Sequence, residues 1–183
     1  MNTRIERDFY FHAALHFKKE FYVNTYDITL SMLIDTDSAR EQQVAMDRIL
    51  HYLKCIFSDC IFVHCLDTES INKYKMAGIR VCELPEEPWD QVVAMVVLNK
   101  LNAIMENRIR ITDMVLASAM SEGVRYSIVS EEAESVLAGN NWWNNASMSI
   151  TNENGYPGEN VVKLFHEDDW ISLGLSWKEM GKT

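Results

Sequence analysis

Thr25-Tyr-Asp-Ile-Thr-Leu-Ser-Met-Leu-Ile-Asp35, running on into Thr36-Asp-Ser-Ala-Arg-Glu41, is the stretch on which the fold turns. Ile28, Leu30, Met32 and Ile34 alternate with Thr29, Ser31 and Leu33, the period of two expected of a half-buried strand. Ser38 followed by Glu41 has the spacing of a capping box, in which hydroxyl and carboxylate each take an orphan backbone N–H. Beyond it Met46, Ile49, Leu50, Leu53, Ile56 and Phe57 recur at helical spacing and form one apolar stripe. Ser58 and Asp59 end that helix. Residues 60–66 are almost wholly apolar, as expected of a strand covered on both faces.

The same grammar extends toward the C-terminus. Residues 67–77 are polar and read as a loop or one or two helical turns. Gly78 precedes a short strand, Ile79-Arg-Val-Cys-Glu-Leu84. Pro88 suits a first helical turn, and Val92, Val93, Val96, Val97, Leu101 and Ile104 continue at helical spacing. Arg108-Ile-Arg-Ile111 restarts a strand that can reach Ser118. The order strand, helix, strand, strand, helix, strand over residues 25–118 predicts an α+β fold of the ferredoxin-like (split βαβ) type. That arrangement is a two-layer sandwich, with both helices on one face of a four-stranded antiparallel sheet. An additional strand pair is expected from residues 9–17, where aromatic residues alternate, and from residues 124–129, reached through the turn Met120-Ser-Glu-Gly123. A helix over 113–121 competes with the strand there. Residues 131–137 read as a short helix, 146–151 and 160–166 as a hairpin, and 170–180 as a final short helix. The expected organisation is one domain over 1–183, with a core of about 25–130 and a β-rich appendage of about 131–183.

Composition narrows the function classes. The formal charge of −10 disfavours a nonspecific grip on nucleic acid or anionic lipid. Arg108, Arg110 and Arg125 are the residues that could converge into a local basic patch. No run approaches the roughly 18 apolar residues of a membrane helix, and the first residues lack the apolar core of a secretory signal. A cytoplasmic protein is therefore expected. Cys60 and Cys65, five apart on one strand, point to opposite faces and cannot share an ion. The four cysteines are expected to be buried, reduced thiols, with no metal site and no cofactor.

Four residues carry the chemistry an enzyme would need: His12, His16, His64 and Asp67. On a strand His12 and His16 share a face but lie about 13 Å apart, too far for one metal ion. Neither His12 nor His64 has a hydroxyl residue two positions on, as a paired His-x-Ser/Thr phosphate site requires. His64 with Asp67 has the makings of an acid–base pair at a strand end. His166-Glu-Asp-Asp169 offers carboxylates beside an imidazole, although Asp169 before Trp170 equally suits a helix cap. Asn140-Asn-Trp-Trp-Asn-Asn145 places two indoles among amides, and Trp142 and Trp143 are candidates for ligand stacking or for an interface. The composite expectation is a non-catalytic ligand-binding or regulatory module that forms a homodimer or other homo-oligomer and takes a small-molecule ligand. The alternative is a phosphoesterase-like hydrolase using His12, His16 or His64.

Overall fold

A computed structural model describes residues 3–151 and 166–178. Its spine is a long hairpin, β1 (Thr3–Phe17) and β2 (Glu20–Ile34), paired antiparallel from Thr3 opposite Ile34 to Phe17 opposite Glu20. The turn is only Lys18 and Lys19, both left-handed at φ 50° and 66°. Two positive-φ residues match the right-handed twist of the flanking strands, a task usually given to Asn-Gly. Phe9, Phe11, Ala13 and Leu15 of β1 and Tyr26, Ile28, Leu30 and Met32 of β2 all lie on the buried side, with Phe9 opposite Ile28 and Phe11 opposite Tyr26, so both strands alternate as the pattern predicts.

Helix α1 (Ala39–His51) follows, capped by Ser38, whose side chain accepts from the Glu41 amide. The reciprocal half of the box is made differently: Thr36 accepts from the Ser38 amide at 3.2 Å and donates to Glu41 at 2.6 Å. The helix runs into a π turn over Tyr52–Ile56 and ends before β3 (Cys60–His64). Helix α2 (Thr68–Met76), β4 (Arg80–Leu84), α3 (Asp90–Met105), β5 (Ile109–Ser118), β6 (Arg125–Val129) and α4 (Ser130–Val136) follow. A 3-10 turn at Trp142–Asn144 and a short helix α5 (His166–Ser172) complete the described chain.

The fold is mixed α+β, with six strands in the order β4-β3-β1-β2-β5-β6. This departs from the all-antiparallel, four-stranded ferredoxin-like order. Two causes are visible. Asp67 accepts from the Ser70 amide and caps α2, so the polar stretch after β3 is a crossover helix and leaves β3 and β4 parallel. The N-terminal strand β1, outside the stretch that suggested the motif, inserts between β2 and β3. Residues 113–118 continue as strand, which settles the competition with a helix in that region.

Helices α1 and α3 share one core with the buried side of β1, β2 and β5, while α2 covers Ile61, Val63 and Val81 on the opposite face. The rest of that second face carries Glu6, Asp8, Tyr10, Asp27 and Val23 outward. Between Ser31 and Met32 the β2–β5 register shifts around Thr112. There the Asn102 side chain accepts from the Ile111 amide at 2.8 Å and donates to its carbonyl at 3.1 Å, standing in for a neighbouring strand.

The C-terminal region is not a β-rich appendage in its described part. Trp142, Trp143, Ile150 and Trp170 belong to the main core, and the expected helix of 170–180 is instead α5, ending at Ser172. Of the expected hairpin of 146–151 and 160–166, residues 146–151 carry no strand and His166 instead begins α5, while 160–165 lie outside the described residues. Two buried cations hold this region down. Lys100 is fully buried and donates to the carbonyls of Trp142 (2.8 Å), Asn145 (2.9 Å) and Ser147 (2.6 Å). Arg48 lies between the rings of Trp170 and Trp177, donates to Leu175 O at 2.8 Å and pairs with Glu106 at 3.0 Å.

Candidate functional site

The histidines do not converge. His12, on the exposed side of β1, meets Thr25 Oγ1 across the hairpin at 2.9 Å. His16 points to the same side, where α2 packs. His64 takes the other side: Ile61 and Val63 pack under α2, so by alternation His64 shares the face of Cys60 and Phe62. A site using all three imidazoles is therefore not formed.

The structure does bring His16 and Asp67 together, with Ser70 and Tyr74, neither of which sequence reading had singled out. His16 Nε2 lies 3.1 Å from Asp67 Oδ2 and 3.0 Å from Ser70 Oγ, and Nδ1 lies 2.9 Å from the Tyr74 hydroxyl. The Ser70 hydroxyl and amide, with His16, hold the Asp67 carboxyl below its usual range, against the opposing effect of partial burial. Burial and the nearby Asp67 push the Tyr74 phenol up. A carboxylate only accepts, so the Nε2 proton serves Asp67, and Nδ1 accepts from Tyr74 in the neutral ring. The imidazole thus donates toward Ser70 and cannot remove its proton, as an activated serine would require. Carboxylate and hydroxyl crowd one nitrogen, whereas a nucleophilic triad divides them between two. The cluster works as a clamp that seats α2 on β1.

Trp142 and Trp143 are 2% and 4% exposed, so neither offers a stacking surface or an interface. Their indole nitrogens donate inward, to Glu83 O at 2.8 Å and Leu137 O at 3.2 Å. The three arginines also stay apart. Arg108 stacks on Trp177, Arg110 lies 3.7 Å from Asp35, and Arg125 stands opposite Ala117 near the other end of β5. Asp169 is exposed on α5. Cys60 and Cys82 are buried, with burial pushing the Cys82 thiol up, but Cys65 is half-buried and Cys55 is exposed. Among the described residues no three His, Cys, Asp or Glu side chains are placed to hold a metal ion, and no helix is long and apolar enough to cross a membrane.

A concave site does exist on the helical face, at the stretch of β5 that β6 does not reach. It is a cleft of about 380 Å³ whose lining includes Asn99 and Asn102 from α3, Arg110 from β5, Glu134 from α4, and Asn144. Asn99 and Asn102 are three apart on α3 and so project toward the same side. Asn99 Nδ2 donates to Ala133 O at 3.2 Å, while its buried Oδ1 finds no hydrogen-bond partner among the described residues. Asn144 Nδ2 donates to Leu137 O and Gly139 O, both at 2.8 Å, and fixes the rim. A carboxylate and several carboxamides in one concavity can recognise a small polar molecule carrying both donors and acceptors, while the Arg110 side chain turns by alternation to the other face of the sheet, toward Asp35. The sequence signal was present, in Asn99 and Asn102 interrupting an apolar helix, but it had no address until α4 and the 139–144 loop closed over it. Comparison with known proteins finds no family model and no curated protein that matches this chain.

Proposed function

We propose that the chain is a non-catalytic ligand-binding or regulatory module, cytoplasmic and working as a homo-oligomer, that takes a small polar ligand in the α3–α4 cleft. The supporting observation is the cleft wall itself, where Glu134 and Asn144 accompany the buried amide of Asn99. A ligand with an amine or amide N–H for Glu134 and for the Asn99 Oδ1 matches that wall. The test is a thermal-shift screen of small zwitterionic and amide compounds, followed by calorimetric titration of each hit. At a hundredfold excess over its dissociation constant a true ligand stabilises by about 2.7 kcal/mol. Asn99→Leu and Glu134→Gln are each expected to weaken binding at least tenfold. Hits whose affinity survives both substitutions would remove the cleft from the proposal.

The alternative, a phosphoesterase-like hydrolase, draws on one contact, the 3.1 Å approach of His16 to Asp67. Hydrolysis of a nitrophenyl phosphodiester that disappears in His16→Asn, at a temperature where circular dichroism shows the variant still folded, would favour it over the binding module.

A further inference from the structure

Strand β6 ends the sheet, and its outward backbone groups follow from one hydrogen bond. The Ala119 amide donates to Thr25 O at 2.9 Å, so Ala119 faces β2, and by alternation Ala117, Val115 and Asp113 do too. Met114 and Leu116 then face β6, where they pair with Ile128 and Tyr126. The N–H and C=O groups of Arg125 and Ser127, with the N–H of Val129, consequently point away from the sheet, while the Val129 carbonyl serves the first turn of α4 as its N-cap. The edge strand Arg125-Tyr-Ser-Ile-Val129 is short and carries one charge, Arg125, but neither proline nor lysine. Val124 and Val129, 44% and 40% exposed, flank it.

We propose that β6 is the seam of a homodimer, in which a second copy adds its own β6 antiparallel about a two-fold axis at Ser127. The inference rests on the self-association in the reading above and replaces the tryptophan loop as its location. A pairing centred on Ser127 sets Arg125 against Val129 of the second copy, and Tyr126 against its Ile128. Tyr126 and Ile128 meet as aromatic and β-branched cross-strand neighbours, twice by symmetry. Charge selects a second copy as the occupant. On the exposed side of the sheet, Val129 lies beside Asp113, and Asp113 lies beside Ser31, which pairs with Glu6. The two-fold therefore brings Arg125 of each copy to within about two strand spacings, near 10 Å between backbones, of the other copy's Asp113. Extended arginine and aspartate side chains span that gap, where Arg125 joins Arg4 and Thr112 of the other copy, 3.4 and 2.7 Å from the same carboxylate, which has lone pairs for all three. The interface is isologous and closes at two subunits, so it does not propagate.

Sedimentation equilibrium at 10–200 µM is expected to give twice the 21.2 kDa chain mass for the wild type. Ser127→Pro removes an outward N–H and leaves the β5 ladder intact, so it is expected to give the single-chain mass with an unchanged circular dichroism spectrum. Arg125→Glu, which cannot disturb the backbone, is expected to raise the dimer dissociation constant at least tenfold; should the proline variant unfold, this variant decides. A wild-type chain that sediments as a monomer overturns both the seam and the self-association, while leaving the cleft to its own titration. A dimer untouched by Arg125→Glu and by folded Ser127→Pro overturns the seam alone.

Discussion

Lys100→Met tests the buried ammonium through the pH dependence of stability. Burial pushes the Lys100 pKa from 10.5 down to about 7, with the neighbouring Cys82 opposing the fall. The native state thus binds its proton less readily than the unfolded chain, and between about pH 7 and 10.5 the unfolded chain holds more protons. Stability must rise with pH through that window and level off above it. For pKa values of 7 folded and 10.5 unfolded, the gain between pH 7.0 and 8.5 is about 1.6 kcal/mol. Other titrating groups, including Tyr26 and Tyr52, whose phenols burial pushes up, act equally in both proteins and cancel in the difference. The constant cost of leaving three carbonyls without their donor cancels as well. Urea unfolding of wild type and Lys100→Met at the two pH values gives the double difference directly. The expected result is a mutational penalty larger by about 1.6 kcal/mol at pH 8.5 than at 7.0. A penalty that is flat to within about half a kcal/mol would refute the reasoning. It would mean that the three carbonyl acceptors hold the ammonium charged throughout.

Ser38→Ala removes the hydroxyl that accepts from the Glu41 amide, and is expected to cost about 1 kcal/mol in urea unfolding. Thr36 keeps its contact to the Ser38 amide, so the loss should stay at the low end of cap effects. Trp142→Ala empties a core position, and is expected to cost about 3–5 kcal/mol and to orphan the Glu83 carbonyl that the indole satisfies. A melting temperature within two or three degrees of wild type would place that indole outside the core.

Much of the architecture was legible because it was local. Ser38 caps α1 where the pattern put it, and the apolar stripes of α1 and α3 and the alternation of β1 and β2 all survive. The sheet order was not legible. It depended on whether residues 67–77 closed a tight turn or a crossover helix, and that was decided by the Asp67 cap and by packing of Ile71 and Tyr74 on a face already made. The candidate site was harder still. His16 and Asp67 were visible as chemistry, but their roles depended on Ser70 and Tyr74, which reach the same imidazole only after α2 docks. Trp142 and Trp143 misled because an Asn-rich neighbourhood resembles a surface loop. Lys100, 42 residues away from Trp142, supplies the donor that lets such a loop be buried.

The Arg48 sandwich ties the centre of the protein to contacts distant in sequence. The guanidinium donates to a carbonyl 127 residues further along the chain and lies between two indoles from the same region. Closing so long a loop costs entropy before any contact repays it, so the core around this charge shuts late in folding, after the hairpin and α1 have formed from local contacts.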